Sequence, residues 1–345
     1  LWVDGPGVLE LPLKRSLDLP LKQRADNHST AVPGTLHVDW RQRMTFDGRS
    51  VVFEQSVTAR GPDMILCTEV LEVQLQQGIV FSESGQESQP QIEQVLCRGG
   101  VTIESRRVRE AELASLMRAK LADLAWNIPS GAMTGGGPGF MVGIFRNSGS
   151  ARTPNLLTPF GQPRSPELPP AQSRPGAPLD CLHVRFQGSV RGNTNTGTLG
   201  FYERVQAALA PVASWQATLE VDDPRVLGQY GGVLINCNNL TVCEMPNPPA
   251  KEPAIELEAT GNTIVEAVSQ DQRLYTARAQ RIAYAQAKDL LVLEGDGRTD
   301  AELFYQPRPG VQPSRQATRR ILLFPRSGKG WVEGARSLEL TGFPQ

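Results

Sequence analysis

The clearest pattern of hydrophobic and polar positions runs from Leu36 to Val57. Its first part alternates, with apolar residues at every second position, which is the period of a β-strand with one buried and one solvent-facing side. Asp47-Gly48 then predicts a tight hairpin turn with both residues at positive φ, and apolar positions resume on the way back. The stretch is therefore predicted to be a β-hairpin. Its buried side is predicted to comprise Leu36, Val38, Trp40, Met44, Phe46, Val51, Phe53 and Val57.

Parts of this pattern recur later in the chain. The decamer that starts at Trp2 (W-V-D-G-P-G-V-L-E-L) matches the one that starts at Trp331 (W-V-E-G-A-R-S-L-E-L) without a gap, and a weaker copy starts at Gly137. The stretch 36–40 is matched by 182–186, and 67–73 by 237–242, with the apolar parity kept. A spacing of this size is typical of a repeated block as large as a domain.

The repeats predict a first β block at 1–146 and a second β block with loop insertions at 181–345. Residues 147–180 are dense in proline and serine, which favours an insert or linker between the blocks. Two further matched stretches, 92–103 and 255–266, each predict strand, turn and strand. Residues 109–125 have a helical composition, but their counterpart 274–293 fits two strands, so strands are expected in both, with a short helix before the strands that start at Leu116.

The composition indicates a turn-rich globular protein, with 33 Gly, 27 Pro and 39% hydrophobic residues. A formal net charge of -1 gives no basic excess for phosphates, which argues against nucleic acid as a partner. No apolar run is long enough for a membrane-spanning helix. Because the sequence begins with Leu1 inside a repeated motif, we expect an N-terminal part, including any signal peptide, to be missing.

The five cysteines include no C-x-x-C pair and no metal-like spacing with the three histidines. Buried thiols are favoured and a disulfide is the alternative, whose pairing the sequence does not determine. His37 and His183 hold equivalent places in the two blocks, on the solvent-facing parity, and are interpreted as solvated strand histidines without a catalytic role. Glu294-Gly295-Asp296-Gly297 lacks the alternating ligands of a calcium loop and is interpreted as a hairpin turn.

Two stretches carry a resemblance to a known family. Met44 to Val73 (M-T-F-D-G-R-S-V-V-F-E-Q-S-V-T-A-R-G-P-D-M-I-L-C-T-E-V-L-E-V) resembles the OstA-like, or LptA-type, organic-solvent-tolerance repeat. The phrase A-R-A-Q-R-I-A-Y at 277–284, followed by L-L-V-L-E-G at 290–295, is similar to the other recurring phrase of that family. The matches touch about half of the chain, in both blocks.

The resemblance implies an all-β fold of two divergent OstA-like β-jellyroll blocks, built from stacked short antiparallel strands and either separate or continuous. It also implies a protein of the periplasm or outer membrane that carries or bridges lipopolysaccharide-type lipids through an apolar groove. Its expected partners are lipid acyl chains and other OstA-like envelope proteins, joined by pairing of edge strands. No catalysis, cofactor or metal is expected from this resemblance.

The groove is expected to be lined by apolar residues of both blocks. An ordinary closed core has the same periodicity, so the alternative is a structural or adhesive scaffold of β repeats that transports no lipid. An enzyme is the minority interpretation, because no G-x-S-x-G or H-E-x-x-H motif is present. The groove candidates are Val38, Trp40, Met44, Phe46, Phe53, Val184, Phe186, Ile282 and Tyr284.

Overall fold

The structure, a computed structural model, describes residues 1–13, 34–78, 91–109, 112–146, 179–223, 225–228, 232–245, 254–268, 273–308, 310–324 and 329–338. These residues form 21 strands, a one-turn helix and a short 3-10 helix, so the fold is all-β as predicted. Every strand pair whose register is described is antiparallel.

The elements in chain order are β1 (Trp2–Asp4), β2 (Gly7–Leu13), β3 (Gly34–Trp40), β4 (Arg43–Phe46), β5 (Ser50–Arg60), β6 (Met64–Leu75), β7 (Ile92–Arg109), β8 (Glu112–Leu121), β9 (Asp123–Asn127), β10 (Ala132–Gly136), β11 (Gly139–Arg146), β12 (Leu179–Phe186), β13 (Ser189–Asn193), β14 (Thr198–Val212), α1 (Arg225–Gly228), β15 (Val233–Met245), β16 (Ala254–Val268), β17 (Leu274–Ala285), the 3-10 helix (Gln286–Lys288), β18 (Leu290–Glu294), β19 (Ala301–Gln306), β20 (Ser314–Phe324) and β21 (Lys329–Leu338).

The chain divides into two compact units. Unit 1 contains residues 1–141 and 188–199, and unit 2 contains residues 142–187 and 200–345. The predicted insert, 147–180, lies outside the described residues except for Leu179 and Asp180, which begin β12.

The predicted hairpin is present as β4 and β5. Asp47 Oδ1 accepts hydrogen bonds from the backbone N–H groups of Arg49 and Ser50, which fixes the turn. Only Gly48 has positive φ there, so the expectation of two such residues is wrong. The preceding alternating stretch is also two strands, β3 and β4, because the chain leaves the ladder at residues 41–42. Those two strands pair with opposite halves of the single long strand β5.

Four long strands bend sharply where two consecutive residues have positive φ. The matched stretches 92–103 and 255–266, predicted as strand, turn and strand, each lie within one bent strand, β7 and β16. A Cβ on Gly99 would lie 2.7 Å from Glu69 Cβ, and one on Gly261 would lie 2.7 Å from Asn238 Cβ, so each close approach requires glycine. At these positions the pairings of β5, β7 and β16 with their neighbours shift register, as at a β-bulge. The bend residues are Gln55 and Ser56, Gly99 and Gly100, Glu203 and Arg204, and Gly261 and Asn262.

Both stretches form strands as predicted, but the short helix expected before Leu116 is wrong, because β8 already begins at Glu112. The stretch 109–125 contains β8 and the start of β9, and 274–293 contains β17 and most of β18. The 3-10 helix Gln286–Lys288 and Asp289, at positive φ, make the connection between β17 and β18. Helix propensity is overridden here because β8 and β17 are each held by ladder hydrogen bonds along their length.

Candidate functional site

The nine predicted groove residues all lie on inward, apolar faces and are all buried. Their exposed fractions range from 0% for Val38, Phe53, Val184 and Phe186 to 8% for Phe46. No described Lys, Arg or Glu side chain is buried with them, and the buried polar residues are Thr68, Asp180, His183, Thr263, Ser314 and Thr318. Each face is therefore filled by the protein's own side chains.

Five of these residues form one cluster in unit 1. The Trp40 and Phe53 ring centroids are 5.2 Å apart, Met44 lies in register with Phe53, and Phe46 lies in register with Val51. Val38 and Trp40 share a face of β3 with Leu36, which is also buried. The structure thus brings these five side chains together from β3, β4 and β5.

The chain entering β2 covers the Trp40 side of this cluster. Trp40 Nε1 donates a hydrogen bond to the Gly5 carbonyl oxygen at 3.0 Å. A Cβ on Gly7 would lie 2.4 Å from Trp40 Cζ2, so the ring lies directly against a glycine backbone. Part of the repeated W-V-D-G decamer therefore seals the cluster, a contact that the sequence pattern did not reveal.

The other four candidates lie on two strands of unit 2. Val184 and Phe186 lie on β12, where Phe186 packs on Phe201 with ring centroids 5.5 Å apart. Ile282 and Tyr284 lie on β17, in register with Leu293 and Leu291 of β18.

Charged side chains occupy the outward face of unit 2 as an alternating row. Arg281 contacts Glu258 at 2.7 Å and Glu294 at 2.8 Å. Arg320 contacts Glu294 at 3.0 Å and Glu333 at 3.6 Å, so the row reaches β21. The hydrogen bond from Arg281 to Glu258, followed by the one to Glu294, raises the pKa of that guanidinium above its usual value. The acidic and basic side chains of this row thus face solvent, on the side opposite to the apolar residues.

In both copies of the W-V-[DE]-G motif, the acidic residue pairs with an arginine on the outward face. Asp4 on β1 accepts a hydrogen bond from Arg43 Nε at 2.8 Å, and this contact raises the pKa of Arg43. Glu333 holds the matching position on β21 and pairs with Arg320. The motif tryptophans are exposed, by 68% for Trp2 and 57% for Trp331. The repeat is visible in the sequence, whereas the ion pairs with Arg43 and Arg320 are not.

The two histidines behave differently. His37 is solvated as predicted, with its side chain 45% exposed and Nδ1 3.2 Å from Glu10 Oε1. His183 is buried, and Nδ1 makes a close contact with the Leu219 carbonyl oxygen. The expectation of a solvated His183 is wrong because residues 213–223, here called the cover segment, lie across that face of β12.

The cover segment brings a second apolar layer to unit 2. Leu219, Val221 and the α1 residue Val226 are at most 4% exposed. The face they cover carries small side chains, since Cys181 and His183 of β12 lie in register with Ala210 and Ala208 of β14. The sequence signal for this covered face was the presence of small apolar residues, such as Cys181, Ala208 and Ala210, at strand positions whose parity predicts exposure to water.

The five cysteines are free thiols; Cys97, Cys181 and Cys237 are buried as expected, whereas Cys67 and Cys243 are only half-buried. Burial raises the pKa of both Cys97 and Cys237 to about 12, so neither supplies a thiolate near neutral pH. Within the described ranges no group of three His, Cys, Asp or Glu could hold a metal ion. Glu294 to Gly297 leads into a turn, in which Asp296 Oδ1 accepts hydrogen bonds from Thr299 and Arg298.

A shallow depression of about 280 Å³ in unit 1 is lined by polar and charged residues, among them Arg49 and Glu93, which form an ion pair at 2.9 Å. Such a lining does not suit an acyl chain.

In the part of the chain that the structure describes, no helix is long and apolar enough to cross a membrane. Comparison with protein-family models and with curated proteins found no match to this chain.

Proposed function

We propose that this chain is a non-catalytic protein of the periplasm or outer membrane that binds the acyl chains of lipopolysaccharide-type lipids and helps to carry them toward the outer membrane. The observation that carries the proposal is the separation of chemistry across the strands of both units. All nine candidate residues lie on inward faces where no described Lys, Arg or Glu is buried, while the ion pairs lie outward. The exception is Asp180, which is buried on the same parity of β12 as Val184 and Phe186.

Acyl binding would use the apolar faces directly. Removing apolar surface from water stabilises a complex by about 25 cal/mol per Å², or roughly 0.8 kcal/mol per buried methylene. Because the faces are filled in the free protein, opposed side chains such as Trp40 and Phe53 must part to admit the chain. The methylenes of the ligand then replace the contacts that those side chains lose. This mechanism needs no catalytic residue, cofactor or metal.

Partners of the carrier would be other OstA-like envelope proteins that extend its sheets by edge-strand pairing. β1 pairs with β4, and β21 pairs with β20, as the outermost described strands of their ladders. Each carries the W-V-[DE]-G motif with an exposed tryptophan. Unpaired backbone groups along such strands are suited to receive another strand.

A structural or adhesive scaffold is the second candidate. It is favoured by a specific observation, the burial of all nine candidates to 8% exposure or less, since a scaffold needs a permanently filled interior. In that case the same face would contribute stability alone and would never admit a lipid.

Photo-crosslinking separates the two candidates. A photoreactive residue is placed at Trp40, Phe46, Phe186 or Tyr284, with His37 and Thr45 as solvent-facing controls, and a labelled fatty-acyl or lipopolysaccharide probe is added. The carrier proposal predicts crosslinks at the first four positions and none at the controls. Absence of crosslinks at all six positions in folded protein would favour the scaffold.

A further inference from the structure

In the cover segment, buried aliphatic side chains that face β12 alternate with acidic side chains at the surface. Leu219 and Val221 are buried, whereas Glu220 and Asp222 lie at the surface, with side chains 61% and 68% exposed. Both carboxylates point to one cation, since Arg185 Nη2 lies 3.4 Å from Glu220 Oε2 and Arg185 Nη1 lies 3.7 Å from Asp222 Oδ2. The segment therefore docks by two aliphatic side chains and two acids around one arginine.

The face beneath the segment is a shallow site made by β12 and β14. Cys181 and Ala210, and His183 and Ala208, are neighbours in register on it, and these four residues are at most 8% exposed. The small side chains leave room for aliphatic groups above them, while the contact between His183 and the Leu219 carbonyl oxygen aligns the backbone. Arg185, two residues further along the same face of β12, supplies the positive charge.

The segment is held without a β-ladder. The described backbone hydrogen bonds of 213–223 are local, from Ala217 N to Ser214 O, from Asp223 N to Glu220 O and from Val226 N to Asp223 O. The chain then passes through α1, a helix of one turn, and returns at Gly232, whose backbone N–H donates a hydrogen bond to the Val226 carbonyl oxygen at 2.8 Å. Besides Leu219 and Val221, Trp215 of the segment contacts Arg146, whose Cζ lies 6.0 Å from the ring centroid. Side-chain contacts thus hold a stretch whose backbone lies outside the sheet, which is typical of elements that open locally.

We propose that this face of β12 and β14 is a docking site for an extended partner segment of alternating aliphatic and acidic residues, and that Leu219–Asp222 occupies it as a displaceable internal ligand. The occupant is defined by the segment seated there and by charge complementarity with Arg185. The partner would bind on the outward side of β12, away from Val184 and Phe186. The site is therefore independent of lipid binding to the inward face.

The test uses a fluorescent peptide with the sequence of residues 213–223, A-S-W-Q-A-T-L-E-V-D-D. In the full chain, the double substitution Leu219→Ser and Val221→Ser releases the internal ligand. We expect this variant to bind the peptide at least tenfold more tightly than the unsubstituted chain does, as measured by fluorescence anisotropy. Adding Arg185→Glu to this variant is expected to remove the gain in affinity. A peptide carrying Glu220→Arg and Asp222→Arg is expected to bind that Arg185→Glu chain with the higher affinity again.

A second variant guards against misfolding of the first. Glu220→Arg with Asp222→Arg in the chain keeps the aliphatic residues and opposes Arg185, so the cover should open more often. Alkylation of Cys181, followed by mass spectrometry, should then be at least tenfold faster than in the unsubstituted chain, whereas the exposed control Arg298→Gln should leave it unchanged. Two results would overturn the proposal. One is that peptide binding by the first variant and Cys181 alkylation in the second both equal those of the unsubstituted chain. The other is that adding Arg185→Glu to the first variant leaves its peptide affinity unchanged.

Discussion

Replacing Phe53 by alanine tests whether the inward face of unit 1 is a packed core in the free protein. Phe53 is 0% exposed, packs on Trp40 and lies in register with Met44 on one side and Leu71 on the other. A phenylalanine buries about 150–250 Å². At about 25 cal/mol per Å² that corresponds to roughly 4–6 kcal/mol, an upper bound because the unfolded chain already buries part of this surface.

Measured core truncations of this kind cost about 3–5 kcal/mol, since a cavity is left behind. We therefore expect Phe53→Ala to lower the free energy of unfolding of unit 1 by about 3–5 kcal/mol. Native-state hydrogen exchange read by mass spectrometry is the suitable assay, because a chain with two units need not unfold in one transition. The loss should be seen in peptides from β3 to β6.

The matched control is Val52→Ala, one residue away on the opposite, half-buried side of β5. It should cost less than about 1.5 kcal/mol, as expected for a smaller and less buried side chain. A cost below about 1 kcal/mol for Phe53→Ala would contradict a packed core at this position. It would mean that the residue lines an open space in solution rather than a filled one.

Three further changes test local features of the structure. Gly7→Val should destabilise unit 1 by about 1–3 kcal/mol, as read by native-state hydrogen exchange, because the new Cβ would start 2.4 Å from Trp40 Cζ2. Gly61→Ala in the same unit, where the new Cβ would meet only the Met64 carbonyl oxygen at 3.9 Å, should be nearly neutral. Hydrogen bonds from Thr299 and then Arg298 lower the pKa of Asp296 below 3.8, so their stabilisation is complete above the unfolded pKa and is lost as pH falls through the lower folded value. The deficit of Asp296→Asn in urea midpoint should therefore shrink below about pH 4, and a constant deficit would contradict this assignment. Cys97, whose pKa burial raises to about 12, should resist iodoacetamide in native protein at about pH 8 and react in urea, as read by peptide mass spectrometry.

The alternating parity was sufficient to predict which side chains are buried around Trp40. All five apolar residues from Leu36 to Phe46 on one parity are buried, as expected for a strand with one solvent-facing side. Of the residues predicted to be buried on the return strand, Phe53 and Val57 are buried but Val51 is only half-buried. The pattern did not predict where strands bend. Gln55 and Ser56 have positive φ without a glycine, and such a bend is imposed by neighbouring strands rather than by local preference.

Contacts between distant parts of the chain were also beyond the sequence pattern. The parity of His183 predicted a solvated side chain, yet Leu219, 36 positions later, supplies the carbonyl oxygen that it contacts. The packing of Gly7 on Trp40 is similar, since nothing in either stretch indicates that they meet. Periodicity reports which face of a strand is apolar, whereas what covers that face depends on loops that have no periodicity of their own.

The most direct test of the proposed function asks whether an acyl chain reaches the Trp40 cluster. The chain has five tryptophans, so one variant keeps only Trp40 and a matched variant keeps only the 57% exposed Trp331, with the others changed to phenylalanine. Bromine quenches indole fluorescence only near contact, so dibromostearate is compared with unbrominated stearate. If acyl chains enter the Trp40 cluster, dibromostearate, but not stearate, quenches the fluorescence of Trp40 and leaves the fluorescence of Trp331 unchanged. Unquenched Trp40 at saturating dibromostearate, in protein with native strand content, would contradict the proposed carrier function and leave the scaffold as the function.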